Sequence, residues 1–220
     1  MILPDLEIEK SLWEKGHKYI AGIDEVGRGS WAGPLVAAGV ILAPDFEIPD
    51  GLADSKLVKP QARNKLSRII KKAAVGCYIA EVSVREIDKI GVGAATFIAF
   101  RKIVNNISPR ADFAIIDAFH IKYLNRQKQM AVKNGDKICA SIAAASIIAK
   151  VFRDNLMKRL HFKYPDYGFG KHKGYGTAFH QAAIRKHGLT DIHRRSYNLD
   201  FLYASSFRHS GANEVSDRIP

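Results

Sequence analysis

An apolar run that ends on two acids constrains this chain more than any other feature. Tyr19-Ile20-Ala21-Gly22-Ile23 leads straight into Asp24-Glu25, and Gly27, Gly29 and Gly33-Pro34 follow at once. The run reads as a strand over residues 18–25, closed by turn residues. Phe113-Ala114-Ile115-Ile116 repeats the pattern and ends on Asp117. An anion at the end of a buried strand is expensive unless something compensates it. The carboxyl ends of central strands are also where α/β proteins build their sites.

The remaining periodicity fills in the architecture. It predicts a short amphipathic helix over 3–15, a second strand over 35–42 hairpinned to the first, and a helix from Pro60 to about Ala74 with Leu66, Ile69, Ile70 and Ala73 on one face. A third strand follows over 78–84, a helix over 92–105, a short strand at 130–132 and a long helix over 141–162. Three consecutive strands followed by alternating helices and strands indicate an α/β sandwich with a mixed sheet. A length of 220 residues with 47% hydrophobic content suits one domain with a sizeable core. The expected division is a core over 1–162 that includes the N-terminal helix, a basic C-terminal segment over 163–203 of the same domain, and a flexible polar tail over 204–220.

Charge and cysteine usage narrow the function classes. Lysine and arginine number 34 against 22 acids, a net charge of +12, which favours a polyanionic partner. No apolar run approaches the roughly 20 residues of a membrane span. The N-terminus carries acids where a secretory signal carries bases, so the expected location is the cytoplasm. Cys77 and Cys139 form no Cys-x-x-Cys pair and read as buried, reduced thiols, and the histidines fall in no zinc pattern.

The acids carry the chemistry. Asp136, in Asn-Gly-Asp before the long helix, is the third candidate, although an aspartate there also serves as a cap or turn residue. Asp117 fits a site residue and a strand-end turn residue equally, and Asp154 reads as a surface acid or the partner of a basic neighbour. Converging carboxylates repel one another unless cations sit between them. Oxygen-only ligands select a hard ion such as Mg²⁺ or Mn²⁺. Two such ions about 4 Å apart can activate a water and stabilise the departing oxygen of a phosphodiester. Adjacent strand residues point to opposite faces, so Asp24 and Glu25 share a site only if the strand ends or twists there.

Two further segments suit a nucleic-acid partner. Gly27-Arg28-Gly29 combines close backbone approach with a forked phosphate donor, although an ordinary hairpin turn also fits it. Between 163 and 196, seven Lys/Arg and four His face only Asp166 and Asp191, with Tyr164, Tyr167, Phe169, Tyr175 and Phe179 interleaved. Basic groups can grip phosphate there while rings stack on bases or sugars, and a solvated basic face is the plainer alternative.

Taken together, these pieces resemble bacterial ribonuclease HII from about residue 5 to 200. Ala-Gly-Ile-Asp-Glu-Val-Gly-Arg-Gly (21–29) looks like the family's opening signature, with Ala-Gly-Pro at 32–34 and Asp54-Ser55-Lys56 after it. Ala-Ala-Ser-Ile-Ile-Ala-Lys-Val (144–151) with Arg153-Asp154, then His172-Lys173-Gly174-Tyr175 and His193-Arg194-Arg195-Ser196, continue the family's order. The resemblance implies a ribonuclease H-like fold with a five-stranded mixed sheet flanked by helices and a helical C-terminal part. It implies Asp24, Glu25, Asp117 and Asp136 as catalytic ligands of two Mg²⁺ or Mn²⁺ ions. Gly27, Arg28 and Gly29 would read the 2′-hydroxyl and phosphate, and Tyr175 would stack on the following deoxyribose. Ser55, Lys56, Ser146, Lys150 and Lys173 would complete the substrate contacts. The implied reaction is hydrolysis of RNA in RNA–DNA hybrids and nicking 5′ to single ribonucleotides in duplex DNA, leaving 3′-hydroxyl and 5′-phosphate ends. A monomer is expected, and no sliding-clamp motif is evident in the tail. Ser30, Leu57, Asn134 and Ala143 depart from the family's usual proline, lysine, lysine and serine, and bear on affinity and junction preference.

Overall fold

The apolar run becomes the centre of a sheet. In a computed structural model that describes residues 3–122 and 124–202, β1 (Ile20–Val26) pairs antiparallel with β2 (Leu35–Ile41) and parallel with β4 (Phe113–Asp117). β3 (Gly76–Val82) extends the sheet beyond β2, and β5 (Gln129–Val132) extends it beyond β4, giving the mixed order β3-β2-β1-β4-β5. Register then places the acids. Ile23 lies opposite Ile116 in the parallel pair, so the next residues, Asp24 and Asp117, emerge side by side at the same end. The expected tail at 204–220 lies outside the described residues.

Helices cover both faces of the sheet. Val36, Ala38 and Val40 of β2 pack under Ala143, Ala144, Ile147 and Ile148 of α4 (Ala140–Lys163), with Leu66 and Ile70 of α2 (Pro60–Ala73) beside them. Leu35, Ala37 and Ile41 face the other way, onto Ala95, Ala99, Phe100 and Ile103 of α3 (Val84–Asn106). Each fully buried Ile or Phe contributes about 1.5–3 kcal/mol. Gly22 sets the approach of α4, because a methyl group there would overlap the Ser141 backbone. The alanine-rich face of α4 has the same effect, and Ala143 is fully buried within it.

α1 (Glu7–Glu14) seats the start of α4. The Glu9 carboxylate, 1% exposed, accepts from the Ser141 amide at 2.9 Å and from its hydroxyl at 2.6 Å. Burial pushes the Glu9 carboxyl upward, and the two Ser141 bonds oppose that shift. An acid at a helix N-terminus also complements the helix dipole.

Two expectations need correction. The helix expected over 92–105 begins two turns earlier, at Val84, and the preceding strand ends at Val82. The cause is a capping box: Ser83 Oγ accepts from the Glu86 amide at 3.2 Å, and Glu86 accepts from the Ser83 amide at 2.9 Å. Gly91, with φ 78°, then breaks the helix, which masked its first turns in the periodicity. The aromatics of the basic segment are the second correction. Tyr167 and Phe169 are buried with Ala32, Met157, Ile184 and Leu202 in a satellite core formed with α5 (Phe169–His172) and α6 (Ala178–His187), so they are not free to stack on bases. Cys77 is only partly buried, while Cys139 is fully so, and both are free thiols. Among the described residues no helix is long and apolar enough to cross a membrane.

Candidate active site

Asp24, Glu25, Asp117 and Asp136 line one cleft of about 390 Å³, together with Val26, Ser55, Lys56, Ser146, Lys150 and Tyr175. The strand-alternation difficulty resolves at the sheet's end. The β1–β4 ladder stops at Ile23–Ile116, and Ala118 (φ 59°), whose amide still bonds the Val132 carbonyl of β5 at 2.9 Å, turns the chain after β4. Glu25 therefore has no β4 residue paired beside it, and β1 runs on only to Val26 before Gly27 (φ 92°) turns the chain. The Glu25 amide donates to Asp24 Oδ1 at 2.7 Å, and Glu25 Oε1 lies 3.7 Å from the Arg28 guanidinium. Asp117 is tied to the loop that bears Asp136, since its Oδ1 accepts from the Gly135 amide at 2.8 Å. That loop turns at Asn134 (φ 55°), a left-handed position that asparagine tolerates.

The electrostatics show what this arrangement lacks. Burial holds the Asp24 carboxyl well above the ordinary carboxylate range, and the charges of Glu25 and Asp117 push it the same way. Burial raises Glu25 to about 7, with Arg28 opposing. Asp117 and Asp136 are raised as well, first by burial and then by neighbouring acids that include Asp54. Burial alone would lower Lys56, yet its net shift is upward because Asp54, Asp136, Asp24 and Asp117 surround it. This is an acid cluster short of positive charge. Among the described residues no three His, Cys, Asp or Glu side chains close a metal cage. A hard ion such as Mg²⁺ does not need one, because it takes one or two carboxylates and completes its shell with water and phosphate. The donor set fits such ions.

A hydrogen-bonded wall faces the acids. Ser146 lies within bonding reach of Asp24, and its hydroxyl meets the Ser55 hydroxyl at 2.9 Å. Arg63 donates to the Ser55 carbonyl at 2.8 Å and lies 3.5 Å from Asp154, which binds Lys150 at 2.7 Å. Asp154 thus takes the basic-neighbour alternative and holds a cleft-lining lysine. Asp54, which accepts from the Lys56 amide at 2.9 Å, belongs to the same support. Sequence reasoning named the Asp-Ser-Lys element without singling out Asp54. No sequence signal links Arg63 to the site.

The proposed reading loops lie beside the cleft. Arg28 sits 4.7 Å over the Phe119 ring, between that ring and Glu25. Gly27 is buried, whereas Gly29 is exposed with open space around it. Tyr175 lines the cleft and is 38% exposed. Lys173 does not line it: its ammonium folds back onto the Gly170 carbonyl. Behind Tyr175, neutral histidines form a chain. The Thr190 amide donates to His193 Nδ1 at 2.8 Å, which fixes His193 Nε2 as the donor to His180 Nε2 at 3.1 Å. His180 Nδ1 then donates to the Tyr175 carbonyl at 3.0 Å. Burial lowers both histidines to about 4, in keeping with a chain that works only when neutral.

The chain is similar to known proteins in sequence and in fold. Residues 21–200 match the family profile described as Ribonuclease HII. A ribonuclease HII of Desulfitobacterium hafniense is 47% identical over 192 residues, spanning 87% of this chain and 73% of that protein. The Archaeoglobus fulgidus RNase HII, solved as a complex with PCNA, has a TM-score of 0.71 at 26% identity, covering 82% of this chain and 96% of that one. Bst-RNase HIII in complex with Mn²⁺ shares the fold at a TM-score of 0.67 and 19% identity, covering 87% of this chain and 71% of that one. With its five-stranded ribonuclease H-like fold and a family match that runs from β1 to the last described turns, the chain belongs to the ribonuclease HII family of endoribonucleases.

Proposed function

We propose that this chain is a divalent-metal-dependent endoribonuclease, acting as a monomer in the cytoplasm. It hydrolyses the RNA strand of RNA–DNA hybrids and nicks 5′ to single ribonucleotides in duplex DNA, leaving 3′-hydroxyl and 5′-phosphate ends. Such nicking would serve ribonucleotide excision repair. The observation that carries the reading is the cleft in which Asp24, Glu25, Asp117 and Asp136 meet Lys56, Lys150 and Tyr175. The four acids would hold Mg²⁺ or Mn²⁺, two ions during catalysis. Ions of this kind supply an activated water and charge stabilisation at the departing oxygen. The Mn²⁺ of Bst-RNase HIII is consistent with the same donor chemistry.

The chain's own groups do the rest. Lys56 and Lys150 place positive charge where the phosphodiester must lie, and Ser55 and Ser146 offer hydroxyls to its oxygens. The Gly27–Gly29 backbone can approach a ribose closely, with Arg28 beside it as a phosphate donor. Tyr175 presents an exposed ring for the sugar that follows. Lys173 would reach phosphate only by leaving its bond to Gly170. The net charge of +12 supports the approach of either duplex. PCNA in the Archaeoglobus fulgidus complex makes a sliding clamp the first protein partner to test.

The test is cleavage of a duplex carrying one ribonucleotide, with Mg²⁺, with Mn²⁺ and with EDTA, and with the product ends mapped. The reading expects a metal-dependent nick 5′ to the ribonucleotide. Cutting that survives EDTA, or nicking of the all-DNA control at the same rate, contradicts it.

A further inference from the structure

The two largest fully buried side chains are arginines, Arg153 and Arg194, and each is 0% exposed. Burying a guanidinium is costly unless its donors are met. Among the described residues neither has a carboxylate at ion-pair distance. Their partners are backbone carbonyls of two loops. Arg153 donates to Pro34 at 3.0 Å, Ala32 at 3.2 Å and Lys173 at 2.9 Å. Arg194 donates twice to Gly33, at 3.0 and 2.9 Å, and to Arg28 at 2.9 Å. The Tyr197 hydroxyl joins the second set, bonded to Arg194 at 2.9 Å and to the Arg28 carbonyl.

The loops are shaped around these groups. A side chain at Gly27 would occupy the space of the Arg153 guanidinium, and one at Gly174 would overlap the Ala32 carbonyl. The Gly174 carbonyl accepts from the Trp31 amide at 2.8 Å, and the Arg194 amide donates to the Trp31 carbonyl at 2.8 Å. The Arg153 guanidinium also lies 5.8 Å from the Tyr175 ring centroid. Two cations buried without carboxylate partners are thus aimed at the backbone of the two loops that carry the glycine-arginine turn and the exposed tyrosine.

We propose that Arg153 and Arg194 are positioning residues that lock the 27–34 and 172–177 loops into one reading surface, Arg194 setting the Gly-Arg-Gly turn and Arg153 setting the Tyr175 loop against it. The inference rests on the substrate reading above. The loop bonds of the Arg194 side chain all fall within 27–34, whereas Arg153 also holds the Lys173 carbonyl beside Tyr175. The Gly-Arg-Gly turn meets the ribonucleotide in any substrate, whereas Tyr175 meets a deoxyribose only where RNA gives way to DNA.

The experiment measures kcat and KM on a single-ribonucleotide duplex and on a uniform RNA–DNA hybrid, for wild type, Arg153→Lys, Arg194→Lys and Tyr197→Phe. Lysine keeps the charge but loses the fork. Arg153→Lys is expected to lower kcat/KM on the single-ribonucleotide duplex about tenfold relative to the hybrid, as for a lost charge-assisted bond. Arg194→Lys is expected to raise KM about tenfold on both substrates, and Tyr197→Phe about threefold on both. A merely structural role would reduce the active fraction, which lowers kcat on both substrates alike and moves neither KM nor the ratio. Unchanged ratio and KM in the lysine variants overturn the proposal. If those variants do not accumulate, an unchanged KM in Tyr197→Phe overturns it. Wild type that cuts neither substrate overturns the functional reading instead.

Discussion

In the cleft at the ends of β1 and β4, Asp24, Glu25, Asp117 and Asp136 are gathered together, and their carboxyls are raised first by burial and then by neighbouring acids that Lys56 and Arg28 offset only in part. Beneath the neighbouring loops, Arg153 and Arg194 are buried more deeply, yet their forks end on carbonyls of Arg28, Ala32, Gly33, Pro34 and Lys173. The first region fits a cation supplied from outside. The second is complete within the fold and serves by holding shape. A cluster of like charge therefore marks a site of chemistry when its partners are missing, and a scaffold when they are present.

The sharpest way to break this contrast is Asp24→Asn. The site account expects cleavage to fall by about a thousandfold or more, the loss of several kcal/mol of transition-state stabilisation, while duplex binding in a gel-shift assay persists. Retained cleavage would remove the acids from the chemistry. Gly22→Ala tests the element the two regions share, because α4 carries both Ser146 and Lys150 of the cleft and, one turn on, Arg153. The added methyl group overlaps Ser141, so thermal unfolding should show a loss of about 2 kcal/mol or more, with lower activity as α4 shifts.

Acidity should separate the regions next. An unfolded histidine takes up a proton near 6.5, whereas His180 and His193 resist until about 4, so their contribution is lost as pH falls through that window. The raised acids act in the opposite sense: the unfolded carboxyls have released their protons while Glu25 holds its own to about 7, so stability is lost as pH rises. Urea midpoints of metal-free protein should therefore show His180→Asn flattening the acid side and Asp24→Asn flattening the neutral side. The same slope in both variants would contradict the separation. The smallest effect is expected at Leu57, 59% exposed beside Lys56. Leu57→Lys should change stability by less than about 0.5 kcal/mol, and should steepen the salt dependence of duplex binding by about one counterion.

Much of the acid region was legible because its signals are local. Asp24, Glu25 and Asp117 end apolar runs, and the α/β pattern pointed to a mixed sheet, although not to the parallel pairing of β1 with β4. Asp136 was not separable from a helix cap without the family resemblance, since its role depends on the Gly135 amide reaching Asp117, 18 residues away. The arginine region was nearly invisible. Arg194 meets Arg28 across 166 residues, and a buried guanidinium leaves the same letter in the sequence as an exposed one. Tyr167 and Phe169 misled for that reason too: their segment is basic, but their rings belong to a satellite core. The first turns of α3 were readable from Ser83 and Glu86, and Gly91 interrupted the pattern that would have shown them.

Ion binding read by thermal unfolding tests the contrast most directly, with wild type and Asp24→Asn measured metal-free and with Mn²⁺ at pH 8. Removing one of the crowded carboxylates should leave the metal-free variant at least as stable as wild type. Mn²⁺ should raise the midpoint of wild type by several degrees and that of the variant by much less. A variant that is less stable without metal, together with a wild type that Mn²⁺ leaves unmoved, would show that the acids are scaffold and not a cation site.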